Sequence, residues 1–185
     1  MRIIAGFHKG ARIEAPKGLQ TRPTSDRVKE SVFGMLQFEL SGKAVLDLFA
    51  GSGNMGLEAL SRGAKHCVFN DSAKESVAVI RNNIEKLRLT EASSVYMLDF
   101  SALLRRASME GLRFDIVFLD PPYDIKLLDK ALFELVQTDL LKENCLIVAE
   151  HMSRAEPVAP KGCSLRERRR YGETAVSIFV KAEGA

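Results

Sequence analysis

The chain has 185 residues, 46% hydrophobic and 28% charged. That is the balance of an ordinary soluble, folded protein of about one domain's length, and it excludes a disordered or fibrous chain. No apolar run approaches the ~18–20 residues needed to span a bilayer. The opening Met1-Arg2-Ile3-Ile4-Ala5-Gly6-Phe7-His8-Lys9 loses its apolar character too soon for a signal peptide. Cys67, Cys145 and Cys163 are odd in number and lack Cys-x-x-Cys spacing. They argue against a disulfide framework or a metal site and fit a reducing cytoplasm. The net charge of +3 is unevenly placed, with seven Lys/Arg against three acids in residues 1–30. A second basic cluster is Arg166-Glu167-Arg168-Arg169-Arg170. Two basic patches suit a polyanionic partner, because phosphate neutralisation dominates nucleic-acid affinity; the alternative is a solvated charged face.

In chain order, Arg2–Ala5 and Ala11–Glu14 flank Lys9-Gly10 and read as a hairpin. Thr24-Ser25-Asp26 then supplies N-cap chemistry for a helix with Val28, Val32 and Leu36 on one face. Ala44–Phe49 reads as a buried strand, followed by a glycine loop and a short helix through Leu57 and Leu60. Strands at Cys67–Asn70, Val95–Leu98, Phe114–Leu119 and Cys145–Ala149 alternate with helical patterns at Val77/Ile80/Ile84/Leu87, Leu103/Leu104 and Leu128/Leu132/Leu135. Such alternation with continuous apolar strands predicts an α/β fold around a mostly parallel sheet covered on both faces. Leu165–Tyr171 and Thr174–Lys181 around Gly172-Glu173 read as an antiparallel hairpin at its edge.

The first chemical signal is Gly51-Ser52-Gly53-Asn54-Met55-Gly56, a G-x-G-x-x-G pattern between strand and helix, with Asp71 twenty residues beyond Gly51. Glycines let a ligand approach the backbone, and the acid accepts from ribose hydroxyls. Alternatively, the glycines serve only helix–strand packing. A dinucleotide would place its pyrophosphate at the helix N-terminus, yet Asp47 lies in the strand feeding that loop and repels phosphate. A sulfonium and an ammonium group suit it better, which points to S-adenosylmethionine. Asp47 could instead be a buried acid capping loop amides. Asp99 and Phe100 follow the third strand, where the carboxylate can accept from the adenine amine and the backbone can donate to the ring. An ordinary N-cap is compatible with that role.

The second signal, Asp120-Pro121-Pro122-Tyr123, falls at the carboxyl end of the fourth strand, where open α/β sheets place their chemistry. Two prolines stiffen the turn and remove backbone donors. An exocyclic base amine is a poor nucleophile because its lone pair is delocalised. Asp120 and the Pro121 carbonyl can accept its two hydrogens and aim that lone pair, while Tyr123 stacks on the base. Positioning supplies the rest, with no metal and no strong base. A merely rigid turn is the alternative, and the tetrapeptide alone does not distinguish adenine N6, cytosine N4 and guanine N2. Two further functions stay open: an NAD-dependent oxidoreductase on the same glycine loop, and a non-enzymatic RNA-binding ribosome-assembly factor.

These segments, with Thr21-Arg22-Pro23-Thr24-Ser25-Asp26-Arg27-Val28-Lys29-Glu30, Gly56–Ala64 and Tyr171-Gly172, resemble the bacterial RsmD-type family of class I methyltransferases over nearly the whole chain. The resemblance implies a Rossmann-like fold with a seven-stranded, mostly parallel sheet, an antiparallel C-terminal hairpin and an N-terminal hairpin-plus-helix extension. It implies an extension over residues 1–40 and a methyltransferase domain over 41–185. The implied reaction is methylation of guanine N2 in small-subunit (16S) ribosomal RNA, in the cytoplasm, by a monomer acting on an assembling 30S particle. By the same resemblance Asp47, Gly51 and Gly53 line the methionine end of the cofactor, with Phe49 and Asn54 also on the cofactor. Asp71 holds the ribose, Asp99 and Phe100 the adenine, and Asp120, Pro121, Pro122 and Tyr123 the target base. Arg22 and Arg27 would cover the cofactor or reach RNA; Arg168, Arg169 and Arg170, from the basic cluster, are the further RNA-binding candidates. Asn54-Met55 departs from the small or aliphatic residues common in relatives.

Overall fold

The structure, a computed structural model, describes residues 1–16, 26–122 and 125–182. The chain divides into two compact units, Met1–Leu98 and Asp99–Ala185.

The first unit contains α1 (Asp26–Met35), β1 (Ala44–Asp47), α2 (Asn54–Ser61), β2 (His66–Asn70), α3 (Lys74–Lys86) and β3 (Ser93–Tyr96). Its strands run parallel in the order β3-β2-β1, with Val45 opposite Cys67 and Val68 opposite Ser94. Val45, Leu46, Cys67 and Phe69 are fully buried, as the continuous apolar runs require. β3 starts and ends two residues earlier than its apolar run suggests. Its half-buried ladder begins at the polar Ser93-Ser94, and beyond Tyr96 the Leu98 carbonyl accepts from the Asn70 side chain instead of a strand.

The N-terminal hairpin reduces to one isolated antiparallel bridge, Arg2 to Arg12. The amides of Ile4 and Ala5 donate to the Glu58 carboxylate at 2.8 and 3.0 Å rather than to an opposing strand. Phe7 N and His8 N likewise donate to the Ser61 carbonyl and hydroxyl. The segment therefore docks on α2 while its two arms stay joined, Ile3 N donating to the Ala11 carbonyl, Gly10 N to that of Ile3 and Ile13 N to that of Met1. Thr24 and Ser25 of the expected cap lie outside the described residues, and α1 begins at Asp26.

The second unit contains α4 (Phe100–Met109), β4 (Phe114–Leu119), α5 (Ile125–Val136), β5 (Leu141–Met152), β6 (Cys163–Tyr171) and β7 (Thr174–Lys181). β4 and β5 are parallel, whereas β5–β7 and β7–β6 are antiparallel, as expected for the C-terminal hairpin. β5 is longer than its apolar core in both directions. It begins at Leu141 because a bulge absorbs the polar Lys142–Asn144, where Asn144 adopts φ 60°. It continues to Met152 because β7 goes on pairing after β4 has stopped: Ala149 is the last partner of β4, opposite Leu119, while Glu150, His151 and Met152 pair only with β7. The prolines after Asp120 have no amide hydrogen with which to extend the β4 ladder.

Candidate functional site

Asp47, Asp71 and Asn83 bond the backbone of the glycine loop. Gly53 opens α2 in the left-handed region (φ 79°) and has no side chain with which to cap it. Asp47, reaching from β1, takes that role, and its Oδ2 accepts from Gly56 N at 2.9 Å. The carboxylate is 2% exposed. A buried anion at a helix N-terminus satisfies an orphan amide and cancels the positive end of the helix dipole. The pull on a pyrophosphate is thereby removed. Burial and the neighbouring Asp47 also push the Cys67 thiol well above its ordinary value.

Asp71 at the tip of β2 accepts from Gly51 N through Oδ2 and from Ala73 N through Oδ1, both at 2.8 Å. A carboxylate offers about four lone-pair sites, so these two bonds orient it without exhausting its capacity for ribose hydroxyls. Asn70 Nδ2 donates to the carbonyls of Leu48 and Leu98, while among the described residues its buried Oδ1 accepts nothing. Asn83, fully buried on α3, donates to the carbonyls of Ser52 and Glu14 and accepts from Glu14 N. It thus ties the loop to the N-terminal segment.

Two of the three motif glycines have separate duties. At Gly51 (φ 56°) nothing lies within 4 Å of where a Cβ would stand, which leaves an open cradle at the loop. At Gly56 a Cβ would stand 2.3 Å from the Phe69 ring and 2.6 Å from Cys67 Sγ, so this glycine lets α2 pack on β2. The ligand-approach and packing alternatives therefore apply to different positions. An open loop without pull on a phosphate, beside an acid that keeps accepting capacity, fits S-adenosylmethionine.

Asn54 does not face open space. It is buried, and its Oδ1 accepts from Lys29 Nζ at 2.7 Å. Lys29 is fully buried on α1, donates also to the Arg2 carbonyl at 2.6 Å, and stands 3.3 Å from Glu58. Desolvation lowers its pKa, with Glu58 opposing. Glu58 further accepts from Arg62 Nε at 2.8 Å. Sequence reasoning does not find this buried Lys29–Glu58–Arg62 cluster. A signal was available: Lys29 lies three, four and seven residues before Val32, Phe33 and Leu36, in register with the buried stripe of α1. Phe49 is half-buried within the loop.

In the second unit, Asp99 caps α4, with its Oδ1 accepting from Ser101 N at 2.9 Å. The Phe100 side chain is buried, with Lys130 Nζ 5.3 Å from its ring. Asp120 is half-buried at the end of β4, Pro121 is buried and Pro122 exposed. Where β5 outruns β4 a cavity of about 160 Å³ opens against Pro121 and Pro122, closed by Ile125 and Leu128 of α5 and by Glu150 and His151 of β5. Sequence reasoning missed these last two, because their placement depends on where the β4 ladder stops. Tyr123 lies outside the described residues.

The arginine cluster divides between the two sides of its strand, as a period of two demands. Arg168 and Arg170 both pair with Glu156, whereas Arg169 pairs with Glu167 at 2.6 Å. Arg168 also works inward, its Nε donating to Ser177 Oγ at 2.9 Å. The Ser177 hydroxyl, 2.8 Å from His151 Nε2, gives its own proton to that nitrogen, and His151 Nδ1 donates to the Met152 carbonyl at 2.9 Å. A carbonyl only accepts, so Nδ1 carries the proton, and in the neutral ring Nε2 is then the acceptor. Burial, foremost, and Arg168 hold the His151 pKa below its ordinary value. Arg27 is exposed at the start of α1, and Arg22 lies outside the described residues.

Comparison with known proteins agrees across the chain. The family model described as Conserved hypothetical protein 95 matches residues 1–180. A Bacillus subtilis protein named as putative rRNA methyltransferase YlbH is 41% identical over 98% of this chain and 99% of its own. Ribosomal RNA small subunit methyltransferase D of Haemophilus influenzae is 31% identical over 97% of this chain and 93% of its own. The solved structure of the putative methyltransferase yhhF from Escherichia coli superposes with a TM-score of 0.88 at 31% identity, covering 98% of both chains. A match running from the docked N-terminus through the C-terminal hairpin leaves one assignment: the chain belongs to the Conserved hypothetical protein 95 family, the RsmD-type methyltransferases, and has their Rossmann-like class I fold.

Proposed function

We propose that this chain transfers the methyl group of S-adenosylmethionine to the exocyclic N2 amine of a guanine in small-subunit ribosomal RNA. The observation that carries the reading is the Asp120-Pro121-Pro122 turn on the rim of the β5 cavity, in a chain of the RsmD-type family. Bound S-adenosylmethionine supplies an electrophilic methyl carbon on a sulfonium. Gly51 and Gly53 admit the cofactor to the backbone, and Asp47 keeps the loop free of phosphate-attracting charge. Phe49 borders it, Asn54 supports the loop from behind through its bond to Lys29, Asp71 orients toward the ribose hydroxyls, and Asp99 and the Phe100 amide take the adenine edge. Asp120 and the Pro121 carbonyl accept hydrogen bonds from the two amine hydrogens, the proton that the nitrogen sheds on gaining the methyl leaves along the Asp120 bond to solvent, and Tyr123 stacks on the base. The rate gain is one of positioning, a source worth up to ~7–11 kcal/mol.

The N-terminal residues 1–40, with Arg22 and Arg27, form the RNA-facing cover in this reading. Arg169 and Arg170 exchange their glutamate partners for RNA phosphates, while Arg168 also supports the cavity wall. The substrate is an assembling 30S particle and the enzyme a cytoplasmic monomer. No described helix is long and apolar enough to cross a membrane.

Asp120→Ala tests the assignment. Methyl transfer to small subunits from cells lacking the protein should fall at least a hundredfold, while calorimetric affinity for S-adenosylhomocysteine stays within about twofold (a general acceptor and orienting group contributes ~10²–10⁴). Near-normal turnover would remove Asp120 from the reaction.

A further inference from the structure

The cavity against the Asp-Pro-Pro turn is sized for one ring, yet the target base has two. An engineered apolar cavity of ~150 Å³ takes up benzene, and this one is about 160 Å³. A purine therefore enters only if a wall gives way. We propose that Arg168 and Arg170 form one phosphate site, filled in the free protein by the chain's own Glu156, and that an RNA phosphate replacing Glu156 frees Ala155 to withdraw and admit the base. This deepens the reading above and rests on it, since it takes the base to sit against that turn.

The walls differ in how firmly they are held. Pro121 and Pro122 have a fixed φ, two lining residues ride on α5, and the β5 residues lie in a strand that β7 pairs as far as Met152. Ala155 alone among the described lining residues belongs to no helix, strand or proline turn. It sits in the 153–162 segment that joins β5 to β6. Backbone bonds hold the two ends of that segment: Ser153 N and Ala155 N donate to the carbonyls of Glu173 and Met152, and Cys163 N to that of Pro160. Next to Ala155 the hold comes from side chains of β6. Glu156 accepts from Arg168 Nη1 and, at 2.6 Å, from Arg170 Nη2, and the Pro157 carbonyl accepts from Arg168 Nη2 at 3.4 Å.

Glu156 stands where an RNA phosphate would. Arg168 and Arg170 share one side of β6 by its period of two, and both reach a single carboxylate, an arrangement that suits a phosphate equally well. Arg170, foremost, and Arg168 hold the Glu156 carboxyl below its usual value, so it fills the site as an anion. The hold is breakable. The side chains of Arg170 and Glu156 are 64% and 43% exposed, within reach of a strand of RNA, and an ion pair in water is weak. A polyanion that releases its counterions on binding competes well against one carboxylate. Arg168 meets the cavity by a second route: its Nε donates to Ser177, whose hydroxyl donates to His151 on the cavity wall. One guanidinium thus touches both the fixed and the movable part of that wall.

The experiment compares wild type with Glu156→Gln, Arg170→Gln and, as a charge control, Glu143→Gln, an exposed acid at the opposite end of β5. Amide hydrogen exchange over 153–162 is followed by mass spectrometry, which reads local opening. Methyl transfer is measured on small subunits from cells lacking the protein, with melting temperature and S-adenosylhomocysteine affinity as folding controls. Without RNA, Glu156→Gln should speed exchange in the segment about threefold or more. Arg170→Gln, which leaves Arg168 on the glutamate, should speed it less. The two should move KM for the particle in opposite directions. Losing Glu156 removes the competitor and should lower KM about threefold at unchanged kcat, whereas losing Arg170 removes a phosphate contact and should raise it. A role confined to folding moves both the same way. Unchanged exchange in folded Glu156→Gln, a KM there that holds or rises, or an equal fall in Glu143→Gln overturns the latch and leaves the proposed function standing. Should Glu156→Gln fail its folding control, Arg170→Gln decides alone: faster exchange with a higher KM supports the latch, and unchanged exchange overturns it. No methylation of a purine amine by the wild type overturns the proposed function and this inference together.

Discussion

Replacing Glu58 with Gln removes one charge from a site with no exposure. The carboxylate accepts from Ile4 N and Ala5 N, from Arg62 Nε at 2.8 Å, and faces Lys29 Nζ at 3.3 Å. Glutamine has one accepting oxygen and one donating amide. Ile4 and Lys29 share Oε2 and Ala5 and Arg62 share Oε1, so either orientation points the amide at two donors. Among the described residues, Lys29 keeps the Arg2 carbonyl and Asn54 Oδ1 as acceptors for its ammonium. Breaking one side of a buried pair costs about 3–5 kcal/mol. At ~2–4 °C per kcal/mol for a chain of this size, the melting temperature should drop by about 6–20 °C. The assay is thermal unfolding by circular dichroism without ligand, alongside the double variant Glu58→Gln/Lys29→Met. Lys29→Met removes the ammonium that Glu58→Gln leaves facing a neutral amide, so the double variant should recover part of the loss, a coupling that distant sites do not show. A drop below about 3 °C in the single variant, or strictly additive losses in the double, would refute the assignment of this pair as a buried staple.

Gly56→Ala sets two effects against each other. Alanine gains about 1 kcal/mol of helix propensity, but its Cβ would stand 2.3 Å from the Phe69 ring. Overpacking costs ~1–3 kcal/mol, so the variant should be less stable by urea titration, and equal or greater stability would contradict the packing. His151 has its pKa lowered in the fold, so between that value and the ordinary 6.5 the unfolded chain binds more protons. Stability is then present above about pH 6.5 and lost as pH falls through that window, by at most ~1.4 kcal/mol per pH unit. Urea midpoints at pH 7.5 and 5.5 should shift more in the wild type than in His151→Gln. Both proteins keep His66, whose pKa burial also lowers, so the difference isolates His151. Identical shifts would remove it from the acid limb.

The order of strands and helices, the glycine loop and the Asp-Pro-Pro turn were legible in the sequence because each is local. A buried parallel strand is a continuous apolar run, a helix repeats every 3.6 residues, and a turn declares itself by glycine and proline. β4 was read to the residue at Phe114–Leu119 for this reason. Whatever depended on a partner distant in sequence was decided only by the tertiary structure. Asp47 caps a helix because Gly53 has no side chain to do so, and the N-terminal ribbon is anchored on α2 because Glu58 offers the amides of Ile4 and Ala5 a charged acceptor. Three adjacent arginines read as one patch, yet strand alternation gave them different glutamates and drew Arg168 toward Ser177. The cavity that presents Glu150 exists because one strand outlasts its neighbour. Hydrogen-bond partners and ladder lengths are properties of two segments at once, and no single stretch of residues records them.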